Sequence, residues 1–380
     1  MIKVVISGYY GFANAGDEAM LAAIVGSLRD SIPDVDITVI TGNCKMTQKH
    51  HRVKTVYRLN FFAIAAAIRR CDILISGGGS LLQNVTSSRS LYYYLSIMRI
   101  AMFFHKPVML YAQGIGPVRG EQARRAVRNV LQKVAVIGVR DAESKAELAS
   151  LGVTKPPVHV TADAVLSMHP GDDRLGRELL KEAGISDTQK HVGIAVRNWQ
   201  GLTSYKQAIA EAADILQNEE GARIIFIPMQ YPADVTAGEE IASLMKSKAV
   251  VLRRSYDTEE FMALMGCMDV VIANRLHALI FASLMEVPVT AISYDPKIDS
   301  FIRLIGETLC GTVESISAAD IVADVRTKLK RGSIAPVIKA RLHHLRRQSL
   351  RNAYLALRVL EDKERIKKRL TRKEDGQSVR

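Results

Sequence analysis

The sequence predicts an α/β protein with two successive doubly wound, parallel-sheet domains facing a cleft. Short apolar runs of strand length alternate with amphipathic helical patterns along most of the chain, which is typical of parallel sheets covered by helices. The alternation is interrupted by a segment rich in Pro, Gly and Asp at residues 168–173 and then restarts. A chain of 380 residues is long enough for two such domains, each with its own core.

The first predicted domain covers residues 1–168. Its predicted strands are residues 3–7, 37–41, 73–76, 108–112, 134–138 and 158–161. Its predicted helices are residues 17–30, 90–104, 119–132 and 141–151. Asp141 suits the N-cap of the last helix, and Gly152 suits the position just after its end.

The second predicted domain covers residues 169–335, and residues 336–380 form a basic C-terminal helix and tail. The predicted strands of this domain are residues 192–196, 223–228, 249–252, 270–273 and 289–293. The predicted helices are residues 204–217, 237–245, 258–265, 276–285 and 318–329. Two Rossmann-like units whose strands end at a shared cleft give the plan of GT-B transferases, with ligands at the carboxyl ends of the strands.

Charge and composition narrow the class of protein. Residues 339–380 contain 14 Lys/Arg against 5 Asp/Glu, so of the net charge of +13 only +4 belongs to the first 338 residues. The longest apolar run, residues 61–68, is far shorter than the roughly 20 residues that span a bilayer. Four scattered cysteines without metal or redox spacing favour a reducing compartment. We expect a cytoplasmic protein.

Three glycine-containing segments follow predicted strands of the first domain, at residues 8–18, 77–79 and 113–117. The segment at residues 8–18 lacks the spacing of a dinucleotide or Walker loop. Because the carboxyl ends of parallel strands share one edge, we expect loops there that form a roomy polar site. The alternatives are that the glycines allow close packing and that Asp17 only caps a helix.

Two arginines follow predicted strands of the second domain. Arg197 follows residues 192–196, and Arg275 and His277 follow residues 270–273 at the start of a helix. A guanidinium beside a helix N-terminus binds phosphate or carboxylate groups, although an arginine in this position can instead form only a salt bridge. No His/Cys grouping has metal-ligand spacing, and we expect no metal.

Several short motifs occur in order along residues 1–310. They are Asn14-x-Gly16-Asp17-Glu18, Gly77-Gly78-Gly79, Gln113-Gly114-Ile115-Gly116-Pro117, Arg140-Asp141-x-x-Ser144 and Arg275-Leu276-His277. This series resembles the polysaccharide pyruvyl transferase family. It is most similar to the bacterial enzymes that pyruvylate the secondary cell-wall polymer anchoring S-layer proteins.

The resemblance implies transfer of the enolpyruvyl group of phosphoenolpyruvate to two hydroxyls of one sugar, which yields a pyruvate ketal and phosphate. It implies a lipid-linked acceptor ending in N-acetylmannosamine, with phosphoenolpyruvate as a co-substrate and no cofactor. According to this resemblance, the donor binds in the second domain, to Arg197, Arg275, Leu276 and His277. His277 and Arg275 are catalytic, with Asp17 as the base and Asp163 as a second candidate.

The first domain then binds the sugar. The predicted acceptor-binding residues are Asn14, Gly16, Gly78, Gly79 and Gln113. The basic tail would bind an anionic membrane face, which makes the enzyme peripheral on the inner side of the cell membrane; the alternative is a solvated tail.

Two rival functions remain: a GT-B glycosyltransferase using a nucleotide sugar, and a nucleic-acid-binding protein using the tail. The near-neutral body and the lack of a nucleic-acid-binding motif disfavour the second rival.

Overall fold

The computed structural model describes residues 1–85, 87–186 and 189–377, with side chains described through residue 362. The chain forms two compact units. The first unit contains residues 1–12, 20–167 and the chain from Leu345 onward. The second unit contains residues 13–19 and 168–344. The start of the first helix therefore belongs with the second unit, although it lies early in the chain.

The first unit contains a seven-stranded parallel sheet in the order β3-β2-β1-β4-β5-β6-β7. Its strands are β1 (Ile2–Ser7), β2 (Val35–Thr41), β3 (Lys54–Tyr57), β4 (Ile73–Leu82), β5 (Val108–Ile115), β6 (Val136–Val139) and β7 (Val158–Val160). The helices that follow in the chain are α1 (Ala15–Ser31), α2 (Cys44–His51), α3 (Phe61–Arg70), α4 (Ser88–Phe103), α5 (Glu121–Leu131) and α6 (Ala142–Ser150), with a 3-10 turn at Ala164–Ser167.

The second unit contains a six-stranded parallel sheet in the order β10-β9-β8-β11-β12-β13. Its strands are β8 (His191–Ala195), β9 (Arg223–Phe226), β10 (Val250–Val251), β11 (Val270–Ala273), β12 (Val289–Ser293) and β13 (Gly311–Thr312). Its helices are α7 (Asp173–Glu182), α8 (Ser204–Glu220), α9 (Ala233–Leu244), α10 (Thr258–Gly266), α11 (Leu276–Leu284), α12 (Pro296–Ile305) and α13 (Ala318–Arg331). A last helix, α14, runs over Pro336–Gln377.

Two parallel-stranded α/β units confirm the predicted fold class. β5 of the first sheet and the adjacent central strands β8 and β11 of the second are buried along their whole length, as expected for sheets covered by helices on both faces. The predicted assignment of sugar to residues 1–168 and donor to residues 169–335 stays a prediction. The charged side chains of the predicted tail from residue 363 onward lie outside the described side chains.

The prediction of loops at two glycine segments was wrong. β4 continues through Gly77, Gly78 and Gly79, and β5 continues through Gln113 to Ile115. A Cβ atom on Gly77 would lie 2.5 Å from the Tyr10 hydroxyl, and one on Gly78 would lie 2.8 Å from Met20 Sδ. The glycines therefore let neighbouring side chains approach the sheet closely, which was the alternative interpretation.

The fully buried side chain of Asn352 joins α14 to the first sheet by hydrogen bonds. Its Oδ1 accepts a hydrogen bond from the Ala112 backbone N–H at 3.2 Å, and its Nδ2 donates to Thr161 Oγ1 at 3.0 Å. Ala112 has a φ of 49°, in the left-handed region that non-glycine residues seldom adopt. Gly138 leaves the space for this side chain, since a Cβ there would lie 2.2 Å from Asn352 Oδ1.

We expect the substitution Asn352→Leu to lower the free energy of unfolding by about 1–3 kcal/mol, because it leaves the buried Ala112 N–H without its acceptor. Denaturant titration of the full chain measures this change. Arg347→Ala, at an exposed position of the same helix, is the matched control and should change stability by less than about 0.5 kcal/mol. Equal stability of the two variants would contradict the proposed anchoring role.

Candidate functional site

The candidate site lies at the carboxyl edge of the second sheet, where β8 and β11 are adjacent. The fully buried side chain of Asn274 joins the ends of these strands. Its Oδ1 accepts from the Arg197 backbone N–H at 2.9 Å, and its Nδ2 donates to the Arg197 carbonyl at 3.3 Å. Asn274 therefore fixes the backbone of Arg197 beside the backbone of Arg275. The sequence placed both arginines at this edge but gave Asn274 no role of its own.

Arg275 forms a buried ion pair with Asp234, a residue that sequence reasoning missed. Asp234 Oδ2 also accepts hydrogen bonds from the backbone N–H groups of Met229 and Gln230, at 3.1 and 3.0 Å. The Arg275 Nη2 lies 3.4 Å from Gln230 Oε1. The salt-bridge alternative is thus part of the site, and the pair holds the guanidinium in one position. A signal for Asp234 was its place just beyond predicted strand 223–228, on the same sheet edge.

Arg197 is held by aromatic rings. Its guanidinium carbon lies 5.7 Å from the centre of the Trp199 ring and 5.6 Å from that of Tyr294, and Nη1 lies 3.3 Å from the Tyr294 hydroxyl. In the part of the chain that the structure describes, no carboxylate forms an ion pair with Arg197. Cation–π contacts orient an arginine without balancing its charge, so the guanidinium of Arg197 is positioned here without a carboxylate partner among the described residues.

Tyr205 supports the backbone of the same loop. Its hydroxyl donates a hydrogen bond to the Arg197 carbonyl at 2.8 Å. Burial raises the pKa of Tyr205 to about 12. The hydroxyl therefore stays protonated and remains a donor over the whole physiological pH range.

The start of α1 completes the site within the second unit. The Ala15 N–H donates to the Met229 carbonyl at 3.0 Å, and Asn14 forms an antiparallel bridge with Gln230. A Cβ atom on Gly16 would lie 2.0 Å from His277 Nδ1, so the backbone of Gly16 lies directly against the imidazole. Residues that the sequence assigned to the acceptor side thus contact a residue assigned to the donor side.

The interpretation of Asp17 as the cap of α1 was wrong. The Oδ1 atom of Asn14 accepts hydrogen bonds from the backbone N–H groups of Gly16 and Asp17, at 3.1 and 3.2 Å, and so fills the capping role. Asp17 lies in the first turn of α1, half-buried. Its predicted role as a base stays a prediction.

The remaining predicted acceptor residues lie in the first unit. Gly79 and Gln113 are paired across β4 and β5, and Gln113 Nε2 donates to Ser76 Oγ at 3.3 Å. Gly78 belongs to the same stretch of β4 and is buried like its neighbours. The structure thus divides the predicted site residues into two groups, one in each unit.

The Arg140 motif has a structural explanation in the first unit. Asp141 caps α6 by accepting from the Ser144 N–H at 2.7 Å, which confirms the predicted cap. Arg140 lies 3.2 Å from the Asp141 carboxylate and 3.5 Å from the Asp163 carboxylate. All three charged groups are buried. Asp163, the second candidate base, is therefore engaged in an ion pair.

Among the described residues, no three His, Cys, Asp or Glu side chains form a group that could hold a metal ion. The chemical groups that the site does offer are guanidinium, imidazole and carboxylate. Together they can bind an anionic ligand and transfer a proton.

Two parallel-stranded α/β units give the chain a GT-B-like fold. Solved structures agree on the fold. The chain is 14% identical to the UDP-GlcNAc 2-epimerase from Neisseria meningitidis bound to UDP-GlcNAc, with a TM-score of 0.62 over 94% of this chain and 100% of that one. It is 13% identical to E. coli ADP-heptose lps heptosyltransferase II, with a TM-score of 0.53 over 87% and 99% of the chains.

The sequence comparison is more specific than the fold. Residues 14–296 match the family Polysaccharide pyruvyl transferase, and the chain belongs to that family. A curated relative is the amylovoran biosynthesis protein AmsJ of Erwinia amylovora. It is 21% identical in an alignment 385 residues long, gaps included, that covers 85% of this chain and 91% of the relative. The protein is thus a pyruvyl transferase of polysaccharide biosynthesis, and the resemblance to this family that the short motifs predicted is confirmed.

Proposed function

We propose that this enzyme uses phosphoenolpyruvate as its donor and builds a cyclic pyruvate ketal on two hydroxyls of one sugar. The observation that carries the proposal is the placement of Arg197 and Arg275 beside His277 at one sheet edge. Phosphoenolpyruvate carries a phosphate and a carboxylate, so two fixed guanidinium groups match its two anionic groups. The N-terminus of α11, where His277 lies, adds positive potential at the same edge.

Arg197 and Arg275 have different contacts, which supports the proposal that they bind different anionic groups of the donor. Arg275 is paired with Asp234, so its position is fixed but its charge is partly balanced. Arg197 has only aromatic and hydroxyl contacts in the described residues. The Nε–H groups of both arginines are buried without a hydrogen-bond partner among those residues. We assign the phosphate to Arg197 and the carboxylate to Arg275.

The proposed chemistry begins with a proton from His277 to the methylene carbon of phosphoenolpyruvate, which makes C2 electrophilic. One sugar hydroxyl bonds to C2 and gives its proton to Asp17. The bond between C2 and the phosphate oxygen then breaks, and phosphate leaves with the proton that Asp17 had accepted, which restores the Asp17 carboxylate. The second hydroxyl bonds to C2 and returns a proton to the histidine. The contact between Gly16 and His277 supports placing acid and base on adjoining elements.

We further propose a lipid-linked cell-wall precursor ending in N-acetylmannosamine as the acceptor, at the inner membrane face, in the biosynthesis of a secondary cell-wall polymer that anchors S-layer proteins. This choice rests on the motif resemblance. Of the predicted acceptor residues, Gly16 lies against His277 and Asn14 is bridged to Gln230 in the second unit, which supports a sugar hydroxyl reaching the same edge as the donor.

We expect phosphoenolpyruvate to raise the melting temperature of the protein by about 5 °C at saturating concentration, because a ligand that binds only the native state stabilises it. UDP-GlcNAc and UDP-glucose should give no comparable shift. Differential scanning fluorimetry with all three ligands measures this. Arg197→Ala should remove the shift, whereas Arg253→Ala, at an exposed position of the same unit, should retain it. A larger shift with a nucleotide sugar would favour the glycosyltransferase alternative.

We expect Gly16→Ala to reduce phosphate release by about 100-fold, because the added Cβ would displace the His277 ring and small misplacements of catalytic groups cost rates of this size. Gly26→Ala is the matched control: it lies in the same helix and its Cβ would meet nothing within 4 Å. The control should keep full activity. If both variants release phosphate at the wild-type rate, His277 does not act at the observed position.

A further inference from the structure

The positive charge of the protein is concentrated in a second region besides the C-terminal tail. Residues 37–120 contain eleven Lys/Arg and one acidic residue, Asp72. Asp72 accepts a hydrogen bond from the Lys3 backbone N–H at 3.0 Å. The segment therefore carries a formal charge of +10, although the first 338 residues together carry only +4. It includes α2, α3 and α4 of the first unit.

Within this segment α3 is amphipathic. Its apolar residues Ile64 and Ile68 are fully buried in the core of the first unit. On the opposite side, Phe62 is 92% exposed, and Arg69 and Arg70 at the end of the helix are exposed as well. Positions 62, 66 and 69 follow helical spacing, so they share one face. A phenylalanine this exposed is not explained by packing within the unit.

α4 repeats the combination. Tyr92, Arg99 and Phe103 are exposed and follow one another at spacings of seven and four residues, which places them on one face. Phe103 is 77% exposed. The two helices pack against each other, with the rings of Phe61 and Tyr93 6.2 Å apart. Their exposed faces form the α3/α4 surface, composed of Phe62, Arg69, Arg70, Tyr92, Arg99 and Phe103.

We propose that the α3/α4 surface docks on an anionic lipid bilayer. Phe62 and Phe103 enter the boundary between head groups and acyl chains, and the arginines contact the acidic head groups. Aromatic rings favour this boundary, and clustered basic residues strengthen binding to anionic lipid. No described helix is long and apolar enough to cross a membrane.

Charge complementarity favours lipid over a second copy of the chain. A symmetric dimer through this surface would bring Arg69, Arg70 and Arg99 of one copy near the same arginines of the other. Like charges with no acidic side chain between them oppose such an interface. An acidic lipid surface supplies the missing negative charge instead.

The test is co-sedimentation of the full-length protein with vesicles of phosphatidylglycerol and phosphatidylcholine, compared with phosphatidylcholine alone. We expect binding to the anionic vesicles only. The variant Phe62→Ser/Phe103→Ser should bind them about tenfold more weakly, since two apolar anchors are removed. The matched control Leu244→Ser/Leu304→Ser replaces two exposed apolar residues of the second unit and should bind like the wild type.

A third variant separates this surface from the proposed tail contact. Lys367→Gln/Lys368→Gln/Arg369→Gln removes three tail charges while the α3/α4 surface stays intact. If this variant loses vesicle binding and Phe62→Ser/Phe103→Ser does not, the α3/α4 proposal is wrong and the tail is the membrane contact. Light scattering gives a second test of the α3/α4 proposal. If Phe62→Ser/Phe103→Ser has a lower mass than the wild type but binds vesicles equally well, the surface binds a second copy of the chain and the proposal is wrong.

Tryptophan fluorescence of a further variant tests insertion directly, and this test does not depend on the folding of the serine variants. Phe62→Trp adds a second tryptophan to the chain. The single native tryptophan, Trp199, lies in the second unit. The emission of the added tryptophan should shift to the blue and be quenched by brominated lipid on addition of anionic vesicles. An unchanged spectrum on bound protein would contradict insertion at this position. Phosphate release by the serine variant should equal that of the wild type, which separates this proposal from the proposed reaction.

Discussion

Arg275→Ala is expected to abolish measurable phosphate release, with a loss of about 10³-fold or more, because it removes a fixed cation from the donor site. The same change should lower the free energy of unfolding by about 3–5 kcal/mol, since it leaves the buried Asp234 carboxylate without its ion-pair partner. Phosphate release and denaturant titration on the same samples measure both effects. The loss of activity and the loss of stability then have to be separated.

The double variant Arg275→Ala/Asp234→Asn separates them. Removing the carboxylate charge as well should restore most of the stability, because no unpaired charge then stays buried. It should not restore phosphate release, because the cation is still missing. If the double variant regained activity together with stability, Arg275 would be a structural residue. Arg253→Ala, which breaks an exposed pair with Glu239, should change stability by less than about 1 kcal/mol.

His277→Ala is expected to lower kcat for phosphate release by about 10²–10⁴-fold, the usual contribution of a positioned general acid. The KM for phosphoenolpyruvate should change much less, because the arginines still bind the anionic groups. Stability should change little, since the imidazole is only half-buried at the first turn of α11. His343→Ala, an exposed histidine of α14, is the matched control and should retain full activity.

Proton transfer has its own readout. In deuterium oxide with acceptor present, the wild type should place deuterium on the methyl group of the ketal at the rate of phosphate release. His277→Ala should slow the two rates together. If the variant keeps kcat and raises only KM, His277 binds the donor, and the proton comes from another group. Asp17, on the adjoining first turn of α1, would then be the first residue to test.

Local patterns predicted the strands of both sheets except the short edge strands β3 and β13. Strands such as β8 and β11 are short apolar runs, α8 is amphipathic and α11 is apolar almost throughout, so these signals lie within a few neighbouring residues. Helices α2, α3, α7 and α12 were not predicted. Helix α2 was missed because its sequence, Cys44–His51, is almost entirely polar. Helix α7 was missed because it directly follows a segment rich in Pro, Gly and Asp, although Asp172 is its N-cap.

The sequence by itself determined the α/β class, the family, and the location of Arg197, Arg275 and His277 at one sheet edge. It could do so because strand direction in a parallel sheet follows from connectivity. Only the tertiary structure decided that Asp234 pairs with Arg275 and that Gly16 lies against His277. It also decided that Asn352 joins α14 to Ala112 and that the glycines of β4 serve packing. These contacts join residues from about 40 to more than 250 positions apart, and no local propensity encodes such pairings.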